Sequence, residues 1–288
     1  RDRFRSGGYA LGVSGQYDSE RDEFGTPIGD NQRLVSYDEE TVEAVEIGYK
    51  GLHLDETLQV FASIYQYDYD GYQDELQQFD PIRGAGANFV SNADGITNKG
   101  FEVELYYAAT ERLTLSGNFS YTETEYGEDY FVFTVDDPIN PVPVFVTFTQ
   151  GFISAQVTDP SQAADYTVNL KGGPLKGIPE EKATIRVSYE QDTRFGPLYY
   201  LLSHSYTGDF SASGIQRPLD RIDSRETTNL NISWFSQDGN LSVRAYIDNL
   251  FDNDNYYALS TGDHETNYRK SVTALPPRVM GVDMRYRF

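Results

Sequence analysis

The last stretch of the chain alternates strictly between two kinds of side chain. Met280, Val282, Met284, Tyr286 and Phe288 are apolar or aromatic, and the residues between them are glycine or charged. Successive side chains of a β-strand point to opposite faces, so this pattern predicts a strand with one apolar and one charged face. The wall of a closed barrel, with lipid outside and a polar lumen inside, satisfies both faces. An edge strand of a water-soluble sandwich is the alternative.

Composition narrows the class of protein. The 288 residues carry a net charge of −22 and include no cysteine. No segment approaches the roughly 18 consecutive apolar residues of a transmembrane helix, which excludes a helical membrane protein. The strong negative charge argues against a nucleic-acid partner. Without cysteine, and with His53, His204 and His264 far apart, the sequence predicts no thiolate or imidazole metal site and no cofactor.

About ten segments show the alternation expected of strands. They lie at about 9–17, 42–50, 57–69, 98–108, 113–122, 183–191, 197–208, 227–235, 241–251 and 276–288. Two of them, 57–69 and 197–208, carry apolar residues in both phases. Their register is therefore not readable, and 57–69 would need a bulge to be read as a two-faced strand.

The connections between these segments alternate in length. Long connections, at about 18–41, 70–97, 127–182, 209–226 and 252–276, are separated by short ones at 51–56, 109–112, 192–196 and 236–240. This alternation is typical of outer-membrane barrels, which have brief periplasmic turns and long external loops. Asp238-Gly239 is a favoured hairpin pair in one short turn. The apolar segment 144–148 in the longest connection predicts a hairpin or a lid over the mouth.

Acidic residues concentrate in the long connections. Solvation of surface loops accounts for such charge, but oxygen-only clusters also suit Ca²⁺. The candidates for Ca²⁺ binding are Asp18, Glu20, Asp22, Glu23, Asp129, Asp136 and Asp137. Their spacing matches no definite metal-binding motif, so the sequence does not assign a ligand set.

Several segments resemble TonB-dependent outer-membrane receptors. The motif Asp248-Asn249-Leu250-Phe251-Asp252, followed by Tyr256 and later by Pro277-Arg278, resembles the end of these proteins. Segments 43–51 and 98–105 are similar to other recurring strands of the family, and the resemblance covers about residues 9–288. The aromatic carboxyl terminus resembles the strand that barrel-assembly machinery reads, which makes Met284, Tyr286 and Phe288 the predicted assembly signal.

The resemblance implies an all-β fold, a transmembrane antiparallel barrel of about 22 strands whose lumen holds an N-terminal plug. The chain offers only about ten strands and no recognisable plug. We therefore expect residues 1–288 to be the C-terminal portion of the receptor barrel. The implied function is import of a scarce, bulky ligand, driven by the TonB complex through the plug. A ferric siderophore is the default ligand, with cobalamin, haem or an oligosaccharide as alternatives.

The implied partners are outer-membrane lipids, lipopolysaccharide, the assembly machinery and a small-molecule ligand. Tyrosines in external loops stack on sugars or aromatic chelators. The candidate ligand residues are Tyr72, Tyr126, Tyr130, Tyr256, Tyr257, His264 and Tyr268. Charged side chains on the predicted lumen face would hold a plug in a receptor; they are Glu46, Glu102, Glu104, Arg186, Glu190, Arg244 and Asp248.

Two other functions stay open from the sequence. A passive, porin-like channel would use the same lumen charges to guide a solute. A small outer-membrane hydrolase would need Asp and His near the mouth, and His264, between Asp263 and Glu265, is the place where the sequence offers them. A solvated loop histidine is the simpler interpretation, and no catalytic residue is predicted.

Overall fold

Ten antiparallel strands form one sheet in which chain neighbours are also sheet neighbours. The computed structural model describes residues 3–9, 17–18, 23–24, 36–80, 85–133, 145–149, 152–156, 167–261 and 269–288. The wall strands are β1 (Arg3–Arg5), β2 (Glu40–His53), β3 (Leu58–Asp70), β4 (Ile96–Ala108), β5 (Leu113–Tyr126), β6 (Glu181–Gln191), β7 (Leu198–Thr207), β8 (Arg225–Phe235), β9 (Leu241–Asp248) and β10 (Val279–Tyr286). Among the described residues, β1 and β10 are the two edges of this sheet.

The long connections carry small hairpins of their own. Their paired strands are Gly8–Tyr9 with Ser36–Tyr37, Tyr17–Asp18 with Glu23–Phe24, Tyr72–Asp80 with Ala85–Ala93, Phe131–Phe133 with Thr167–Asn169, Phe145–Thr149 with Phe152–Gln156, Phe210–Ser211 with Arg221–Ile222, and Tyr256–Thr261 with Lys270–Ala274. A single 3₁₀ turn, Pro218–Asp220, is the helical element of the described residues. None of the helical structure described is long and apolar enough to cross a membrane.

The predicted alternation of connections is confirmed. Short turns join β2 to β3, β4 to β5, β6 to β7 and β8 to β9, and each is followed by a long connection. We call the end with long connections the mouth and the other the turn end. Among the described residues the first wall strand is Arg3–Arg5, which pairs with Glu40–Val42. Of the predicted first segment 9–17, residues 10–16 lie outside the described residues. The apolar segment near 144–148 is confirmed as one arm of a hairpin.

Register separates the two faces of the wall. Side chains opposite each other in neighbouring strands share a face, and one such row runs Ile47, Ile64, Phe101, Tyr121. At the other edge, Ile232, Ala245 and Val282 form a similar row. We call this the apolar face; Ile47 is 65% and Val282 is 69% exposed on it. An apolar surface that is this exposed needs a partner outside the sheet, which is the arrangement expected of a lipid-facing wall.

The opposite, polar face carries hydroxyl, amide and charged groups. It includes Ser120, Asn118 and Ser116 on β5, opposite Glu102, Glu104 and Tyr106 on β4. The seven predicted lumen charges, Glu46, Glu102, Glu104, Arg186, Glu190, Arg244 and Asp248, all lie on this face.

The two segments with apolar residues in both phases, 57–69 and 197–208, form the regular strands β3 and β7. Pairing of β3 with β2 and β4 runs without a register shift, so the bulge considered for 57–69 is wrong. Leu58, Val60 and Ile64 lie on the apolar face. The second phase of β3, which contains Phe61, Tyr65, Tyr67 and Tyr69, is a set of aromatic residues on the polar face. On β7, Tyr199 and Leu201 likewise face the polar side.

Candidate functional site

A cluster of buried side chains lies at the mouth. It consists of Ala93, Ile96, Tyr126, Tyr130, Val132, Leu170 and Leu175. Ile96 begins β4 and Tyr126 ends β5, and these register partners are both fully buried. The other members come from the connections 71–95 and 127–180, and the ring of Tyr130 stacks on that of Tyr126 at 5.7 Å. These connections therefore pack on the end of the wall and on each other.

One carboxylate, that of Asp74, joins three segments of the cluster. It is 5% exposed and accepts a hydrogen bond from the Tyr126 hydroxyl at 2.5 Å. Its other oxygen lies 3.0 Å from Nζ of Lys176, which also donates to the carbonyl of Glu75 at 2.5 Å. Because a buried charge is costly unless it is paired and hydrogen-bonded, this contact fixes the hairpin 72–93 against β5 and the segment 170–180.

The same hairpin is tied to β1 and β2 through its neighbour Gln73. The backbone N–H of Gln73 donates to a carboxylate oxygen of Glu40 at 2.8 Å. The Gln73 amide nitrogen donates to the carbonyls of Ser6 at 2.9 Å and Asp38 at 3.1 Å. On the returning arm, Asn92 donates to the carbonyl of Gly71 at 2.6 Å. The hairpin is thus held both to the segments beside β1 and β2 and to the end of β5.

A second buried ion pair lies in the connection 208–224. Arg217 donates from Nε and Nη2 to the two carboxylate oxygens of Asp220, at 2.6 and 3.1 Å, and both side chains are buried. Such two-point pairs fix geometry as well as charge. A cavity of about 670 Å³ lies beside it, and its lining includes Leu175, Tyr206 and Phe210. Cavities of this size accommodate small organic ligands.

The motif near the C-terminus forms a cap on the mouth end of β8 to β10. Asn249, at φ +52°, accepts from the Asn253 N–H at 2.9 Å and donates to the carbonyls of Asn253 and Pro276 at 2.8 and 2.9 Å. Asp252 accepts from the Arg278 N–H at 2.9 Å. Asn tolerates the left-handed backbone region. The Leu250 N–H donates to the carbonyl of Thr228 on β8, and Phe251 is exposed. Together these hydrogen bonds tie the start of the last connection to its end, so the motif has a structural role here.

The predicted ligand tyrosines fall into two groups. Tyr126, Tyr130 and Tyr72 pack in or against the mouth cluster, and Tyr130 is only 8% exposed. Burial, with Asp74 nearby, raises the pKa of Tyr72. Tyr256 and Tyr257 are exposed on the last hairpin, 43% and 49%. His264 and Tyr268 lie outside the described residues. A ligand role stays a prediction for all of them.

The acidic Ca²⁺ candidates are described only in part. Glu20, Asp22, Asp136 and Asp137 lie outside the described residues, and Asp18 and Glu23 are backbone partners in a short hairpin. Asp129 accepts from the Asn169 amide at 3.0 Å and lies 3.2 Å from Nζ of Lys171. The Asn169 hydrogen bond, and then Lys171, hold the pKa of Asp129 below its usual range. Across the described part of the chain, no three His, Asp or Glu side chains converge on one point.

The predicted assembly residues lie at the edge of the sheet. Met284 and Tyr286 are exposed on the apolar face of β10, and Phe288 follows the strand and packs edge-on against Tyr286 at 5.0 Å. Recognition by assembly machinery stays a prediction. Sequence reasoning missed Asp74, Lys176, Arg217 and Asp220 as site residues, because each is one acidic or basic residue among many in the loops. Their significance comes from burial and from partners distant in the chain.

Comparison with known proteins gives a family match. A family profile described as TonB dependent receptor-like, beta-barrel matches residues 4–250. No curated protein sequence matches the chain.

Three solved structures are similar in fold to most or all of the chain. The ferric yersiniabactin uptake receptor FyuA from Yersinia pestis has a TM-score of 0.64 at 15% identity, over 100% of this chain and 34% of its own. The siderophore receptor PiuA from Acinetobacter baumannii has a TM-score of 0.56 at 16% identity, over 91% and 31%. The copper transporter OprC has 0.55 at 15%, over 86% and 31%. The chain therefore spans about a third of the length of these proteins, and the likeness is one of fold.

Proposed function

The chain belongs to the TonB-dependent receptor β-barrel family, and we propose that it is the C-terminal portion of a receptor that imports a scarce, bulky ligand. Members of this family are transport receptors in the bacterial outer membrane, and the sheet described here is part of such a barrel. The observation that carries the proposal is the family match over residues 4–250, on a wall with one apolar and one polar face.

The packing of the mouth favours a receptor rather than an open pore. In a passive channel the long connections need only leave the lumen accessible. Here Asp74, Tyr126 and Lys176 hold two of these connections in one fixed arrangement. A pre-organised surface of this kind lowers the entropic cost of binding a specific ligand.

Energy for import comes, in this proposal, from the TonB complex acting through a plug that occupies the polar face of the barrel. The charged groups of that face are then partners for the plug and for the ligand. The wall also contacts outer-membrane lipids and lipopolysaccharide through its apolar face. The proposed cargo is a ferric siderophore, in line with the ligands named for FyuA and PiuA. OprC has a similar fold and is a copper transporter, so the fold alone does not identify the metal that is carried.

Uptake measurements test the proposal. A strain that lacks the gene should lose accumulation of one class of radiolabelled ferric siderophore, and plasmid-borne wild-type protein should restore it. Restoration should fail in a strain that also lacks TonB. Uptake that proceeds equally without TonB would identify a passive channel. If the strain instead loses uptake of cobalamin, haem or an oligosaccharide, the protein is still a receptor, and that nutrient is its cargo.

A further inference from the structure

The cavity of about 670 Å³ beside the connection 208–224 lies on the outer side of the wall. Two wall residues line it, Glu181 at the start of β6 and Tyr206 near the end of β7. Glu181 is opposite Tyr121 and Tyr206 is opposite Ala183, and these four side chains belong to the apolar face. The rest of the lining comes from the two long connections beside these strands. The wall therefore separates this cavity from the lumen, where a plug and an imported ligand would lie.

The cavity lies at the border where the apolar face gives way to charged residues. On β5 the last apolar side chain of this face toward the mouth is Tyr121, and Glu123 follows it. On β8 the last one is Leu230, and Glu226 is the first charged residue beyond it. Charged side chains against the hydrocarbon centre of a bilayer are costly, so this border marks the level of the lipid head groups. Because the long connections of such barrels are external, these are the head groups of the outer leaflet, where lipopolysaccharide presents its phosphates and sugars.

The charges in the lining do not favour a phosphate. Arg217 is already bound at two points in the buried ion pair described above, and Arg221 lies 2.6 Å from a carboxylate oxygen of Asp209. In the described part of the chain, the carboxylates of Glu180 and Glu181 have no ion-pair partner. A phosphate would therefore find both guanidinium groups neutralised and would be repelled by the unpaired carboxylates. An uncharged group that donates hydrogen bonds fits this lining better.

The lining offers the two kinds of contact that a sugar ring makes. Tyr206 is half-buried, and its hydroxyl has no hydrogen-bond partner among the described residues. The Gln216 amide nitrogen donates to the carbonyl of Pro174 at 2.8 Å, which leaves the amide oxygen as an acceptor. The C–H face of a sugar packs on an aromatic ring, and sugar hydroxyls donate to carboxylate and amide oxygens. Tyr206, Gln216 and Glu181 together supply both contacts.

We propose that this cavity is a saccharide-binding site on the outer surface of the wall, and that a neutral sugar of the lipopolysaccharide core occupies it. Tyr206 provides the aromatic surface, and Glu181 and Gln216 accept hydrogen bonds from the sugar hydroxyls. The buried ion pair of the connection 208–224 fixes the shape of that connection. The inference goes beyond the proposed function, because this sugar stays in the membrane and is not imported.

Two forms of lipopolysaccharide test the site. One has a complete core, and the other is a deep-rough form that keeps lipid A, its phosphates and its acidic inner sugars but lacks the neutral hexoses. Native mass spectrometry of the full-length protein in detergent micelles should show about fivefold tighter binding of the complete form. Tyr206→Leu should remove this preference and leave binding of the deep-rough form unchanged. Tyr200→Leu is the matched control, because Tyr200 lies on the same face of β7, about 20 Å nearer the turn end.

Each variant is first checked for folding by its heat-modifiable migration on gels. If Tyr206→Leu fails to fold, Glu181→Gln replaces it, with Glu125→Gln, at an outward carboxylate of β5 away from the cavity, as its control. Equal binding of the two forms by the wild type overturns the site, as does an equal loss in a control variant. Weaker binding of the deep-rough form to Tyr206→Leu would place a phosphate or an acyl chain in the cavity instead. Loss of TonB-dependent uptake with this preference intact would remove only the proposed function.

Discussion

Two carboxylates of the loops, Asp74 and Asp129, make similar contacts in different surroundings. Each lies near a lysine Nζ, at 3.0 Å for Asp74 and 3.2 Å for Asp129. Asp74 is 5% exposed at its side chain, whereas Asp129 is 57% exposed. Exposed pairs contribute little because water and salt screen them. Removing one partner of a buried pair leaves an uncompensated charge. Burial thus decides which contact holds the mouth together.

Asp74→Asn should loosen the mouth. An amide cannot neutralise Lys176, so we expect the free energy of local opening of the hairpin to fall by about 2 kcal/mol. The loss is smaller than for a fully buried pair because Lys176 is partly exposed. Amides of residues 72–93 should then exchange hydrogen about 30-fold faster. Hydrogen exchange with mass spectrometry measures this rate, and Asp129→Asn is the control, with a change of less than about twofold. Equal rates in the two variants would contradict the role of Asp74.

The pH response of Asp129 follows from its lowered pKa. A carboxylate whose pKa is depressed by folding stabilises the fold above its unfolded pKa, and the effect is lost as pH falls through the folded value. Asp129 should therefore stay ionised, and keep its contacts with Asn169 and Lys171, at pH values where an ordinary aspartate is already protonated. Carboxyl ¹³C NMR titration checks this, and Asn169→Ala should raise the midpoint because it removes the largest cause. An ordinary midpoint in the wild type would refute the assignment.

At the scale of elements, the cap formed by the Asp248 to Asp252 motif connects three wall strands with the last connection. Asn249→Ala removes three side-chain hydrogen bonds and places alanine at positive φ. We expect a loss of about 2–3 kcal/mol in unfolding free energy, measured by urea titration in lipid vesicles. Asn231→Ala, on the polar face of β8, should change stability by less than about 0.5 kcal/mol. An equal effect of both substitutions would show that the cap is dispensable.

Strand β3 shows where sequence reasoning about elements succeeds and where it stops. Its existence and its place in the order were predictable, because alternation and short turns are local properties. Its register was not, because Phe61, Tyr65 and Tyr67 carry the same apolar signal as Leu58 and Ile64. The structure shows Gly100 beside Tyr65 on the next strand, where a Cβ atom would lie 2.1 Å from the Tyr121 carbonyl oxygen and 2.7 Å from the Tyr65 hydroxyl oxygen. Likewise, Asp74 and Lys176 meet only because two long connections fold over one mouth.

At the scale of the whole molecule, the proposal depends on which solvent each face of the wall meets. Ile185 lies on the apolar face of β6 and is 58% exposed, and its neighbour Thr184 lies on the polar face. In a water-soluble sheet an arginine at so exposed a position costs little. Against the centre of a bilayer, an outward-facing arginine costs about 2–4 kcal/mol, whereas a lumen-facing one meets water and polar groups.

Ile185→Arg should therefore destabilise the full-length protein by about 2–4 kcal/mol in guanidinium titrations from phospholipid vesicles, and Thr184→Arg by less than about 1 kcal/mol. The two substitutions add the same side chain at adjacent positions, so strand propensity and added charge are nearly matched. The difference reports the environment of the two faces. If the order were reversed, the polar face would be the one in contact with lipid, and the proposed receptor would lose its lumen.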